Sequence, residues 1–181
     1  MKTKEITMVA LMTAVLIVLG LIPPIPLGFI PAPIVLQNLG IMMIALILGK
    51  KYGTISVAIF LILAALGLPV LPGGRGGMAV LTGPTGGYLL GYLLTPVCVS
   101  LLIQVVSAKK IWQVWLCLLI VSLVIVTGIG ILWMSYSTHL PLKEALIANL
   151  IFVPGDIIKT VIAILIFDRL RHTQLKTSIL M

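Results

Sequence analysis

Asp156 and Lys159 stand three residues apart in a run, Ile151 to Phe167, that is otherwise free of charge. The chain has only four acidic residues, and Asp156 is the one with long apolar sequence on both sides. An ionisable group at membrane depth costs at least about 2.5–3.5 kcal/mol on insertion scales, so it marks a substrate or ion site by default. A spacing of i, i+3 puts both side chains on one helix face. The carboxylate accepts N–H donors, and the ammonium either donates to an oxygen or holds the carboxylate ionised. Pro154-Gly155 comes directly before Asp156. It reads as a helix break that exposes N–H donors and positive dipole character beside the pair.

Other polar groups are candidates to join them. Arg75 lies within Gly73-Gly74-Arg75-Gly76-Gly77. Its planar guanidinium suits a carboxylate, and backbone N–H groups at Gly74 and Gly76 can approach a ligand closely. Tyr88 presents a ring and a hydroxyl, whereas Tyr92, one turn further on, reads as packing. Gln37, Asn38 and Asn149 are uncharged polar residues near helix ends, with caps or packing as the plain reading. Gln37 follows a proline-rich connection directly and is the preferred ligand group of the three, with Asn149 kept as a binding candidate. Gly83, Gly87 and Gly91 form a smooth stripe for helix packing. Cys98 and Cys117 read as small buried hydrophobes, His139 and His172 as interfacial and solvated. The sequence offers no metal-ligand cluster, no phosphate-binding loop and no nucleophilic triad.

Elements able to hold a charged pair away from water follow from composition. The chain is 61% hydrophobic and 9% charged, with a mean hydropathy of +1.29. Such a chain of 181 residues is an all-α integral membrane protein, because each span must satisfy its own backbone hydrogen bonds. The length fits one transmembrane domain over residues 1–181. Spans are expected at about 5–22, 37–48, 52–67, 84–106, 111–136 and 155–168. The basic start followed by an apolar run is read as the first span rather than a signal peptide. Prolines 23, 24 and 26 end that span, and 23–35 forms an apolar connection. A Gly/Pro-rich loop covers 68–83, and 138–152 reads as a short half-helix.

Lys2 and Lys4, Lys50 and Lys51, Lys109 and Lys110, and Arg169, Arg171 and Lys176 each flank an apolar run. With six spans these clusters share one face, so both termini are expected to be cytoplasmic in a multi-pass protein of the cell membrane. The net charge of +8 is thus used up in membrane anchoring and does not point to nucleic acid. The proline connection, the glycine loop and the half-helix then share the outer face. By helix rise, Lys159 lies about 13 Å and Asp156 about 18 Å above Asp168 at the inner boundary. Both fall in the outer half of the bilayer, beneath the outer segments.

Five stretches together resemble a known family. They are Pro33 to Gly40 (PIVLQNLG), Ala65 to Val70 (ALGLPV), Gly73 to Gly77, Gly83 to Gly91 (GPTGGYLLG), and Pro154 to Lys159 (PGDIIK). The chain resembles BioY, the biotin-specific S component of energy-coupling factor (ECF) transporters. That resemblance implies a six-helix S-component bundle binding biotin from outside, with no resident cofactor. It also implies docking on a membrane scaffold, the T component, coupled to two cytoplasmic ATPase subunits. Ala10 and Ala14 match the family's helix 1 Ala-x-x-x-Ala docking motif. The missing phosphate loop is then expected, since partner chains handle ATP. Asp156 and Lys159 suit the ureido ring of biotin, and Arg75 its carboxylate, although the reverse orientation is equally compatible with the sequence. Three other readings stay open at this stage. They are a self-sufficient biotin carrier working as a homo-oligomer, an intramembrane enzyme with Asp156 as base, and a plain helix-packing ion pair.

Overall fold

The structure, a computed structural model, describes residues 2–26 and 32–172. Residues 27–31 of the proline connection, and Lys176, lie outside the described residues.

Helix α1 (Thr3–Leu21) ends where Pro23 and Pro24 remove backbone donors. The ends of the proline connection meet in one antiparallel bridge, Ile25 N to Ile34 O at 3.0 Å and Ile34 N to Ile25 O at 2.9 Å. Helix α1 leaves much of its surface uncovered, with only 22% of its most apolar window buried. Ala10 and Ala14 lie on that uncovered side, while Thr13 faces inward. The Thr13 hydroxyl donates to Val9 O at 2.9 Å and meets Ser56 Oγ at 3.0 Å.

Helix α2 (Gln37–Ala65) is two arms rather than one rod. Gly49 adopts φ 65°, ψ −165°, a region that is essentially glycine's alone. A straight helix of 29 residues would separate its ends by roughly 40 Å. Instead Gln37 Nε2 lies 3.0 Å from Val70 O, so the second arm runs back alongside the first. A Cβ placed on Gly53 would lie 3.3 Å from Ile44 O, which confirms the fold-back close to the corner. Lys50 and Lys51 occupy that corner, both exposed.

A loop then leads to the short helix α3 (Met78–Thr82) and to α4 (Gly86–Val105). Next come α5 (Ile111–Ile120), a π-helical turn (Val121–Val126) and α6 (Thr127–Thr138) in one unbroken helical run. Two members of the glycine stripe do what its spacing suggests. A Cβ on Gly87 would lie 2.3 Å from Trp133 Cβ, and one on Gly91 2.8 Å from Val126 Cα, so only glycine admits this approach of α4 to α6 and the π-helical turn, whereas Gly83 precedes α4 and packs on Ala79 O.

Helices α7 (Leu142–Asn149) and α8 (Phe152–His172) meet at a 47° bend. The expected break at Pro154-Gly155 is corrected here: α8 starts at Phe152, and both residues lie inside its first turn. Proline is tolerated there because first-turn N–H groups have no intrahelical acceptor to lose. Asp156 is therefore the fifth residue of α8, not its N-terminal residue. Trp115 Nε1 donates to Thr160 Oγ1 at 3.2 Å and ties α8 to α5.

By length and apolarity, four helical stretches qualify as membrane crossings, and the bent α7–α8 pair makes a fifth. The doubled-back α2 counts once in that tally. The chain is thus an all-helical, multi-pass membrane protein among its described residues.

Candidate functional site

Helix α8 holds Asp156 and Lys159 on its inward face, both buried. Lys159 Nζ lies 3.1 Å from Asp156 Oδ1. Asn38, in the first turn of α2, donates from Nδ2 to the same Oδ1 at 3.0 Å. Taking two charges out of water costs several kcal/mol per ion, and a close partner with a further hydrogen bond is what offsets it. Both bonds fall on Oδ1, leaving Oδ2 outside this arrangement.

The cluster forms the buried end of a cavity of about 700 Å³, its open mouth included. Tyr88, Leu89 and Tyr92 of α4 form one wall. Val126 and Thr127 contribute a second, at the point where the π-helical turn gives way to α6. Thr127 Oγ1 donates to Ser122 O at 3.2 Å, an i−5 bond made available by the wider turn. Pro33, Val35, Leu71 and Pro72 supply apolar loop surface, and Phe152 an aromatic face.

Arg75 lies at the exposed rim of the same cavity. Its backbone bridges Leu71, with N–H to O distances of 3.0 and 3.2 Å, and its Nε donates to Pro72 O at 3.0 Å. Among the described residues no carboxylate pairs with it, so its terminal nitrogens are available to an anion. The site therefore has a polar, hydrogen-bonding inner end, an apolar middle and a cation at its mouth.

The structure brings Asp156, Lys159, Arg75, Tyr88 and Gln37 to this cavity and leaves three other candidates off its lining. Gly74 has φ 68° in the tight turn that carries Arg75. Gly76 sits so close to Leu68 O that a Cβ would come within 2.2 Å. Both glycines shape the loop and do not line the cavity. Asn149 is buried behind Tyr88, accepting its hydroxyl proton at Oδ1 and donating from Nδ2 to Ala145 O at 2.8 Å. Gln37 does reach the cavity, yet its amide nitrogen is spent on two carbonyls, Leu16 O and Val70 O, each at 3.0 Å. Its Oε1 is buried and has no hydrogen-bond partner.

Two lining residues were placed differently by sequence. Asn38, read from sequence as a cap or packing residue, lines the cavity beside Gln37 and donates to the Asp156 carboxylate. Tyr92 lines the cavity rather than only packing, and its i, i+4 relation to Tyr88 was the available signal. No group of three metal-ligating side chains occurs among the described residues.

The sequence profile of the BioY family matches residues 1–176. A biotin transporter BioY of Lactococcus lactis is 45% identical over 173 residues, covering 94% of this chain and 92% of that protein. The corresponding transporters of Rhizobium etli and Thermotoga maritima are 39% and 38% identical, covering 92% and 89% of this chain and 92% of each relative. Among solved structures, the S-component for biotin from an ECF-type ABC transporter superposes with a TM-score of 0.90 at 45% identity. That match covers 94% of this chain and 92% of the other. Family profile, full-length relatives and fold agree, and the chain belongs to the BioY family.

Proposed function

We propose that this chain is the biotin-capturing S component of an ECF-type uptake transporter, a transport subunit and not an enzyme. The observation that carries the reading is the cavity's polarity: a buried Asp156–Lys159–Asn38 cluster at one end and Arg75 at the other. Biotin has matching ends, a ureido ring with two N–H donors and one carbonyl, and a carboxylate on an apolar tail. In this reading Asp156 Oδ2 accepts a ureido N–H, and Lys159 or Asn38 donates to the ureido carbonyl. Tyr88, Tyr92 and Leu89 cover the ring and tail, and Arg75 takes the carboxylate. The relatives' names as biotin transporters support the choice of ligand.

The finer architecture belongs to the same proposal. Counting both arms of α2, the chain crosses the membrane six times with both termini cytoplasmic, so the cavity opens outward. Ala10 and Ala14, on the uncovered side of α1, meet a T-component scaffold that couples to two cytoplasmic ATPase subunits. Lipid covers the remaining apolar surface, and no cofactor is needed.

Isothermal calorimetry of the detergent-purified chain with biotin and with biotin methyl ester tests the reading. Saturable one-to-one binding is expected for biotin, with weaker binding of the ester because Arg75 loses its charged partner. Absence of any biotin binding by correctly folded protein overturns the proposal. Equal affinity for the ester removes Arg75 from it.

A further inference from the structure

A second cavity, of about 490 Å³ with its mouth included, opens at the corner where α2 folds back. It shares no lining residue with the first. Its wall contains Gly49, Lys50, Lys51 and Tyr52 from the corner, and Ser100 and Gln104 from one face of α4. Two lysines and no acidic residue are among the residues of this wall. Glu5 is the acidic group beside Tyr52, and its Oε2 already accepts the backbone N–H of Lys2 at 2.7 Å. Lys51 Nζ rests 5.5 Å from the centroid of the Tyr52 ring, which holds one cation at the cavity.

Ser100 provides the independent observation. It is only 4% exposed, yet its hydroxyl has no hydrogen-bond partner. A buried polar atom left unpaired costs roughly 1–3 kcal/mol, so it calls for a partner that the protein does not supply. A helical serine ordinarily satisfies itself on a carbonyl one turn back, as Thr95 does on Gly91 O at 2.8 Å. Gln104, one turn further along α4, adds an amide donor on the same face. Two cations, a hydroxyl and an amide around a pocket at the end of apolar helices are what a phosphate group requires at a membrane surface.

We propose that the α2 corner is a phosphate-binding site, taking the phosphate of an acidic phospholipid headgroup, with Lys50, Lys51, Ser100 and Gln104 as its donors. It is separate from the ligand cavity and does not depend on the reading of that cavity.

Native mass spectrometry of the protein released from nanodiscs containing phosphatidylglycerol and phosphatidylcholine tests it. Retained phosphatidylglycerol is expected for the unaltered chain. It should fall by at least about tenfold in Lys50→Gln/Lys51→Gln, given the attraction each cation contributes at a surface. Ser100→Ala should fall less but measurably. Lys109→Gln/Lys110→Gln removes an equal charge from residues that do not line the cavity, and retention should stay unchanged. Equal loss in both double variants reduces the effect to diffuse surface charge and overturns the site. Retention unaltered by Lys50→Gln/Lys51→Gln overturns it as well. Each variant is first shown to keep the parent's melting temperature. Adding inorganic phosphate separates the sources: displacement of the lipid assigns the site to the phosphate group itself, and retention assigns it to the headgroup within its lipid.

Discussion

Helix α8 carries two ion pairs of the same spacing, and they behave as different objects. Asp156 and Lys159 are 3.1 Å apart with side chains 6% and 8% exposed. Asp168 and Arg171, three turns on, are 2.7 Å apart with side chains 36% and 28% exposed. Both are acid then base at i, i+3, so helix geometry alone produces the contact. The Asp156–Lys159 pair lies within the bundle, with Asn38 of α2 completing its carboxylate and Tyr88 and Tyr92 of α4 across the cavity. The Asp168–Arg171 pair lies at the end of the helix among basic residues. The shorter pair has the more exposed side chains, and what water can screen contributes little. Spacing makes a pair; burial and neighbours from other helices make a site.

Substitution can break this comparison. The largest effect belongs to Asp156→Ala, which strands the Lys159 ammonium in a dry environment. A loss of about 3–5 kcal/mol in unfolding free energy is expected by chemical denaturation in detergent. Its milder partner Asp156→Asn keeps the shape and should weaken biotin binding by roughly 100-fold in calorimetry. Unchanged affinity there would leave the buried pair no more functional than the exposed one. Asn38→Ala comes next, removing a hydrogen bond to a charged acceptor and weakening the ligand about tenfold. If Gln37→Ala weakens binding while Asn38→Ala does not, the geometry of the cluster is wrong. The smallest effect belongs to Asp168→Asn. It should leave ligand affinity unchanged and shift stability by about 0–1 kcal/mol.

The comparison also shows which features were legible in the sequence. Asp156 and Lys159 were found because charge is rare in this chain, so two charges inside an apolar run had to be accounted for. The division of α2 was legible for a related reason, since Lys50 and Lys51 separate the spans expected at 37–48 and 52–67, although Gly49 itself was not singled out. Arg75 reached the cavity on charge alone. Choosing between Gln37 and Asn38 was beyond the sequence, because adjacent helical residues differ by about 100° in direction. Which of them meets α8 depends on how α2 is rotated in the bundle. Asn149 pairs with Tyr88, a partner 61 residues away that no local pattern reveals. The helix break was placed at Pro154-Gly155 because proline ends helices in general, and its tolerance in a first turn reversed that rule. Gly74 and Gly76 suggested a backbone cradle, and what the structure adds is their local role: a positive φ at Gly74 and close packing of Gly76 on Leu68 O.

The doubly used amide of Gln37 has a mechanical meaning. One nitrogen grips the carbonyl of Leu16 near the end of α1 and the carbonyl of Val70 in the loop that leads to Arg75. Gly20 presses against both Val70 O and that nitrogen, so closely that any side chain there would force them apart. Hydrogen bonds fail within a few tenths of an ångström beyond 3.2 Å. A tilt of α1 must therefore carry the Arg75 loop along with it or release the loop outright. The least buried of the four long apolar helical stretches and the mouth of the cavity are geared together through a single side chain.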